Sequence, residues 1–279
     1  MTDAELVQKI KKEISEANRE PVIRFTLEPG EPGLTESKAG GTPYLPRDLA
    51  WPLGPDGLPM TLLAQVDCGA LAGLPDFPQR GLLQFFIALN DVFGLDFDDM
   101  TNQDGFRVLY HETADPSVTA EEVLAKRPAI PDDVEPAYMT PLGGVCRIVF
   151  GKPEMQSITD GDYRYEELFC AKWNEARPDA PVQHIWDLSG IWTDEAYEDG
   201  YAVGAMHQVG GYPYFTQTDP RWNGKHAELD VLLFQLDSDM REGRDEVLWG
   251  DCGVGNFFIS REALRRLDFS RTGYNWDCC

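Results

Sequence analysis

The chain has 279 residues, 42% hydrophobic and 26% charged, a globular composition rather than a disordered one. Lys plus Arg number 24 and Asp plus Glu 48, a formal net charge of −24. That balance excludes a general nucleic-acid binder, which needs basic surface against phosphate, and it argues against docking on anionic membrane.

In chain order, the first element is an amphipathic helix. Leu6, Ile10, Ile14 and Ala17 recur at helical spacing, and Thr2 with Glu5 has the signature of a capping box. The same stretch lacks the apolar run of a signal peptide, and no run of about 18 apolar residues occurs anywhere. A cytoplasmic protein with reduced thiols is therefore expected.

From residue 37 the chain repeats itself. Gly40-Gly-Thr-Pro-Tyr44 returns as Gly210-Gly-Tyr-Pro-Tyr214, and Leu62-Leu-Ala-Gln-Val-Asp67 returns as Leu232-Leu-Phe-Gln-Leu-Asp237, both at an offset of 170. Residues 40–67 contain nine identities in 28 ungapped positions, where composition alone gives roughly two. Gly81, Phe85, Phe86 and Ile87 then match Gly253, Phe257, Phe258 and Ile259 at an offset of 172, as Leu95-Asp-Phe97 matches Leu267-Asp-Phe269. The expected organisation is one compact domain, 1–279, with repeat one over 37–112, a connecting segment over 113–206 and repeat two over 207–279.

Each repeat opens on a glycine turn. Strands are predicted over 62–67 and 81–87, with partners over 232–237 and 254–259, and another over 107–110. Ser260 caps a short helix running to Leu267. The strands lie too close together for helical crossovers, so mainly antiparallel pairing is expected. In the connecting segment, Thr119 and Glu122 cap a helix from Ala120 to Lys126, residues 145–150 form a strand, and Tyr163–Asn174 a helix. A further short helix is expected over 194–199. Trp173, Ile185, Trp186, Ile191 and Trp192 call for burial across the two repeats. The fold class is thus α+β: two diverged copies of a β-rich unit with short helices and a helical N-terminus.

The polar residues of the repeated strands are the candidate site. Gln65 and Asp67 share one strand face, as do Gln235 and Asp237, with Leu62, Ala64 and Val66 expected on the other. They either line a cleft between the repeats or tie down neighbouring backbone. His207 precedes the second glycine turn, opposite Ser37, where a histidine is either structural or part of such a cleft.

Other motifs are weak. The acidic run Asp91, Asp96, Asp98, Asp99 and Asp104 fails the EF-hand pattern and reads as a solvated loop. There is no H-E-x-x-H, G-x-S-x-G or P-loop. The six cysteines, at 68, 146, 170, 252, 278 and 279, contain no C-x-x-C pair. No metal and no cofactor are expected. Cys252 reads as a small buried thiol and the tail through Cys278 and Cys279 as docked on the fold.

Ser37-Lys-Ala-Gly-Gly-Thr-Pro-Tyr-Leu-Pro46, Trp51-Pro52, Leu63-Ala-Gln-Val-Asp67, Gly81-Leu-Leu-Gln-Phe-Phe86, Gly94-Leu-Asp-Phe97, Arg107-Val-Leu-Tyr-His111, His207-Gln-Val-Gly-Gly-Tyr-Pro213, Leu233-Phe-Gln-Leu-Asp-Ser-Asp239, Trp249-Gly-Asp251 and Phe257-Phe-Ile259 together resemble the YwqG-like family of bacterial proteins. The resemblance implies an α+β protein of the cytoplasm and carries over no catalytic residue. It also implies that some relatives stand beside polymorphic toxin genes as protective partners.

The reading that follows is a non-enzymatic protein-binding module, one that neutralises a basic partner such as a toxin. The alternative is a small-molecule-binding protein or enzyme, its cleft between the repeats lined by Gln65, Asp67, His207, Gln235 and Asp237.

Overall fold

In a computed structural model the protein is described over residues 1–132, 140–191 and 206–279. Trp192 and the helix expected over 194–199 lie outside the described residues. Helix α1 (Asp3–Ala17) begins at Thr2, whose hydroxyl accepts from the Glu5 amide while its own amide donates to the Glu5 carboxylate. It buries Leu6, Val7, Ile10 and Ile14; Ala17 is exposed, because Val7 completes the stripe instead.

Thirteen strands follow among the described residues: β1 (Arg19–Pro29), β2 (Lys38–Ala39), β3 (Thr61–Asp67), β4 (Leu82–Ile87), β5 (Phe106–His111), β6 (Cys146–Phe150), β7 (Glu154–Ser157), β8 (Gln208–Gly210), β9 (Val231–Asp237), β10 (Asp239–Arg241), β11 (Arg244–Val247), β12 (Val254–Ile259) and β13 (Thr272–Asp277). Among the described residues lie also helices α2 (Ala120–Leu124), α3 (Tyr163–Ala176) and α4 (Arg261–Arg265) and three short 3₁₀ helices.

One antiparallel sheet holds eleven strands in the order β13-β12-β9-β8-β1-β6-β2-β3-β4-β5, with β7 beside the start of β1. Strands β10 and β11 form a separate hairpin. The centre of the order is the β1–β6 pair, in which Phe25 faces Phe150 and Leu27 faces Ile148. The strands of residues 208–277 extend from β1, and those of residues 38–111 extend from β6. Each flank thus adjoins a strand from the other part of the chain: Arg24 of β1 pairs with Gln208, and Arg147 of β6 pairs with Lys38.

The register slips at corresponding places. Between β3 and β4 it shifts at Leu62/Ala64, and between β12 and β9 at Phe257/Phe258. A bulge inserts an unpaired residue and reverses the facing of what precedes it. Leu62 therefore packs with Tyr44, Trp51 and Phe86 on the outer side, while Ala64 and Val66 face the main core. Leu232 likewise packs with Phe215 and Phe258, apart from Phe234 and Leu236. The simple alternation expected for Leu62, Ala64 and Val66 fails for this reason.

The sheet curls until its ends meet. Phe106 of β5 and Tyr274 of β13 stand 5.4 Å apart between ring centroids, and Tyr110 and Phe269 stand 5.6 Å apart. A relay of rings crosses the interior: Phe25 stacks on Phe234 at 5.4 Å, Phe234 on Phe85 at 4.6 Å, and Phe257 contacts Phe85 at 4.8 Å and Tyr274 at 4.7 Å. Such pairs add to the area they bury. Outside the sheet, α1 packs on α3 through Ile10, Phe169 and Trp173, with Tyr212 beneath. Trp186, expected to be buried, is 64% exposed and stacks on the His184 ring instead.

Phe85→Ala is expected to cost about 3–5 kcal/mol of unfolding free energy, because it opens a cavity in the middle of the ring relay. Trp186→Ala is expected to stay within about 0.5 kcal/mol. Urea unfolding of both variants checks the contrast.

Candidate functional site

The two glycine turns are held by matching sets of bonds. Gly40 and Gly41 have φ of 71° and 76°, and Gly210 and Gly211 have 73° and 71°, a left-handed region that glycine enters without strain. A Cβ at Gly40 would stand 2.8 Å from the carbonyl oxygen of Gly144, which precedes β6; one at Gly210 would stand 2.7 Å from that of Pro21 in β1. Each turn is pressed on the central strand that adjoins its flank.

Beyond each turn a buried amide takes over. The Tyr44 amide donates to Gln65 Oε1 at 2.9 Å, and the Tyr214 amide to Gln235 Oε1 at 2.8 Å. Gln84 Nε2 donates to the Tyr44 carbonyl at 2.6 Å, and Asn256 Nδ2 to the Tyr214 carbonyl at 2.9 Å. Gln65 Nε2 also donates to the Leu34 and Glu36 carbonyls, and Gln235 Nε2 to that of Met206. Both glutamines are fully buried. Of the two roles open to them, these bonds supply the backbone-tying one.

Asp67, His207 and Asp237 occupy the strand ends. The Asp67 amide donates to Ser37 Oγ at 2.8 Å, and the Asp237 amide to His207 Nδ1 at 3.0 Å. An accepting Nδ1 leaves the His207 proton on Nε2, 3.4 Å from Asp239 Oδ2. The hydrogen bond from His207 holds the Asp239 carboxyl below its ordinary pKa, whereas burial raises that of Asp237. Asp67 is exposed and caps the following turn through Gly69. Lys38 is buried, with its ammonium on the carbonyls of Gly33, Leu34 and Thr42; Gln208 makes the corresponding bond to the Tyr212 carbonyl.

The structure brings His207, Gln235 and Asp237 together, and Gln65 with Asp67, but as two sets. Strands β8, β1, β6 and β2 lie between β9 and β3 in the sheet order. Two of the cavities among the described residues are lined by none of the five. One, of about 20 Å³, lies beside Arg261, which is already paired with Asp76 at 2.6 Å and Glu20 at 3.0 Å. The other is an open groove of about 380 Å³ over Arg107, Tyr110, Leu267 and Phe269.

Two surface features escaped the sequence reading. Cys252, expected to be buried, is exposed, and its sulfur lies 2.9 Å from that of Cys279. Phe97 is 77% exposed, although Phe269, its partner in the repeat, is buried against Tyr110. Comparing the two repeats shows only that both positions are aromatic, so exposure at one of them leaves no trace in the sequence.

This is a protein of one strongly curved antiparallel sheet, with two glycine turns pinned by buried amides. Residues 37–278 match the family described as a domain of unknown function (DUF1963), and the chain belongs to that family. No curated protein matches it. No helix among the described residues is long and apolar enough to cross a membrane.

Gln65→Ala and Gln235→Ala are each expected to destabilise the fold by about 2–4 kcal/mol, since each strands several buried backbone groups. Guanidinium unfolding measures this. Asp76 supplies a pH dependence. Burial works to raise its pKa, but hydrogen bonds and charge from Arg265 and Arg261 win and lower it. Its contribution is present above the ordinary carboxylate pKa and is lost as pH falls through the lowered one. Asp76→Asn should therefore flatten the decline of stability below about pH 4.

Proposed function

We propose that this protein is a non-enzymatic binding module of the cytoplasm whose partner is a basic protein, met by the acidic loop between β4 and β5. A basic toxin domain is the kind of partner this chemistry fits, in keeping with the YwqG-like resemblance. We also infer that the two flanks of the sheet descend from one duplicated unit. The matched glycine turns, bulges and amide bonds support that descent.

The observation that carries the functional reading is the setting of Phe97. The loop is held from within: Asp96 accepts from the amides of Asp98 and Asp99 and from the Asn102 side chain, and Asp99 accepts from Thr101. It is held from without by the Tyr274 amide on the Met100 carbonyl and by Gln103 on Phe269 and Ser270. This order leaves Phe97 projecting, with the exposed carboxylates of Asp91, Asp98 and Asp104 on the same loop. A pre-ordered aromatic residue rimmed by charge suits a contact that buries the ring and steers its partner.

The test is capture of a partner from cell extract, its purification, and association kinetics at two salt concentrations. Association should slow as salt rises, since exposed charges are screened beyond about 8 Å at physiological ionic strength. Asp98→Lys should slow association more than it speeds dissociation, and Phe97→Ala should mainly speed dissociation, by tenfold or more on the scale of about 1.4 kcal/mol per decade. Recovery of a small metabolite instead, lost in Asp237→Ala, would favour the cleft reading over this one.

A further inference from the structure

Half of the cysteines are built into the interior. Cys68, Cys146 and Cys170 are buried. The other three converge on one surface corner, although the chain separates Cys252 from Cys278 and Cys279. Pairing of β12 with β13 brings them together: Val254 lies opposite Asp277, so the residues just before β12 meet those just after β13.

Both contributing segments are anchored. The turn from Trp249 to Gly253 is closed by the Gly253 amide on the Trp249 carbonyl at 2.8 Å. Trp249 is fully buried, with its ring 5.7 Å from Phe93 and 5.9 Å from Trp276, and its amide donates to Ser238 Oγ. On the other side, Gln217 Nε2 donates to the Cys278 carbonyl at 2.7 Å, and the Asp277 carboxylate accepts from the amides of Thr216 and Gln217.

Asp251, Cys252 and Cys279 offer a carboxylate oxygen and two sulfurs, all within 4.8 Å of one another.

We propose that Asp251, Cys252 and Cys279, with Cys278 beside them, bind a thiophilic divalent cation of the zinc type. Sulfur donors exclude magnesium and calcium, which take oxygen ligands. Zinc–sulfur bonds of about 2.3 Å in a tetrahedron set two sulfurs about 3.8 Å apart. The pair at 2.9 Å opens to that spacing by rotation of exposed side chains. Binding displaces one proton from each ligating thiol, so affinity rises with pH.

The probe is zinc added to metal-free, reduced full-length protein against a chromophoric chelator. Cobalt serves as a reporter of thiolate ligation through its charge-transfer absorption. One zinc per chain is expected, with the cobalt band present. Cys252→Ser and Cys279→Ser should each weaken binding by more than the roughly 10–100-fold that loss of a ligand's hydrogen-bond partner costs, with thermal unfolding of the metal-free protein unchanged. No zinc uptake by the reduced chain would overturn the proposal, as would uptake that survives both substitutions. A Cys252–Cys279 disulfide that persists under thiol reductant, seen as an intact mass lighter by the two thiol hydrogens, would also overturn it.

Discussion

The antiparallel contact between β1 and β6 is the joint on which the rest of the sheet depends. Either flank taken alone would end in an open edge beside its glycine turn, with unpaired amides and carbonyls. The strand that covers each edge comes from the opposite part of the chain. The Phe25 amide donates to the His207 carbonyl, and the Ile148 amide to that of Ser37. Ser37 and His207 stand 170 residues apart, and Phe25 and Ile148 make matching bonds to them. On the proposed duplication, each unit lends its first strand to the other. On that proposal the arrangement is the intramolecular form of a strand exchange between protomers.

The approach of the central strands explains the strictness of the glycine turns. Gly40 meets the backbone before β6, and Gly210 meets β1, at separations that a Cβ would violate. It also explains why the amides of Gln65 and Gln235 look inward to the backbone rather than to a ligand. A turn pinned on one side by a borrowed strand needs its other side fixed, and a side-chain amide supplies both a donor and an acceptor. The second layer differs between the two flanks. Where the first half packs Trp51, the second packs fully buried Arg221, bonded to Asp219 at 2.6 Å and set over the rings of Phe258 and Tyr163.

Much of this was legible in the sequence. The capping box announced α1, and the apolar patterning announced β3, β4, β9 and β12. Strand β1 went unread: Ile23, Phe25 and Leu27 alternate, but Pro21 and the flanking charges mask the pattern, and no copy at the common offset points to it. The facing of Leu62 and Leu232 was misread because a bulge depends on the partner strand and leaves no local mark. Likewise the thiol corner has no motif spacing, since it exists only through the pairing of β12 with β13. For Trp186, apolar character argued for burial, yet a ring stacked on a surface histidine satisfies it equally well.

Native-state hydrogen exchange of the intact chain tests the central claim most directly. If the β1–β6 pair joins the two flanks into one cooperative unit, the amides of Ile23 to Leu27 and of Ile148 to Phe150 exchange only through global opening. Their opening free energies then equal those of Leu63 to Val66 and of Leu233 to Leu236, within about 1 kcal/mol. Exchange of β1 and β6 at a distinctly lower free energy, or two flanks that open at separate values, would contradict the account.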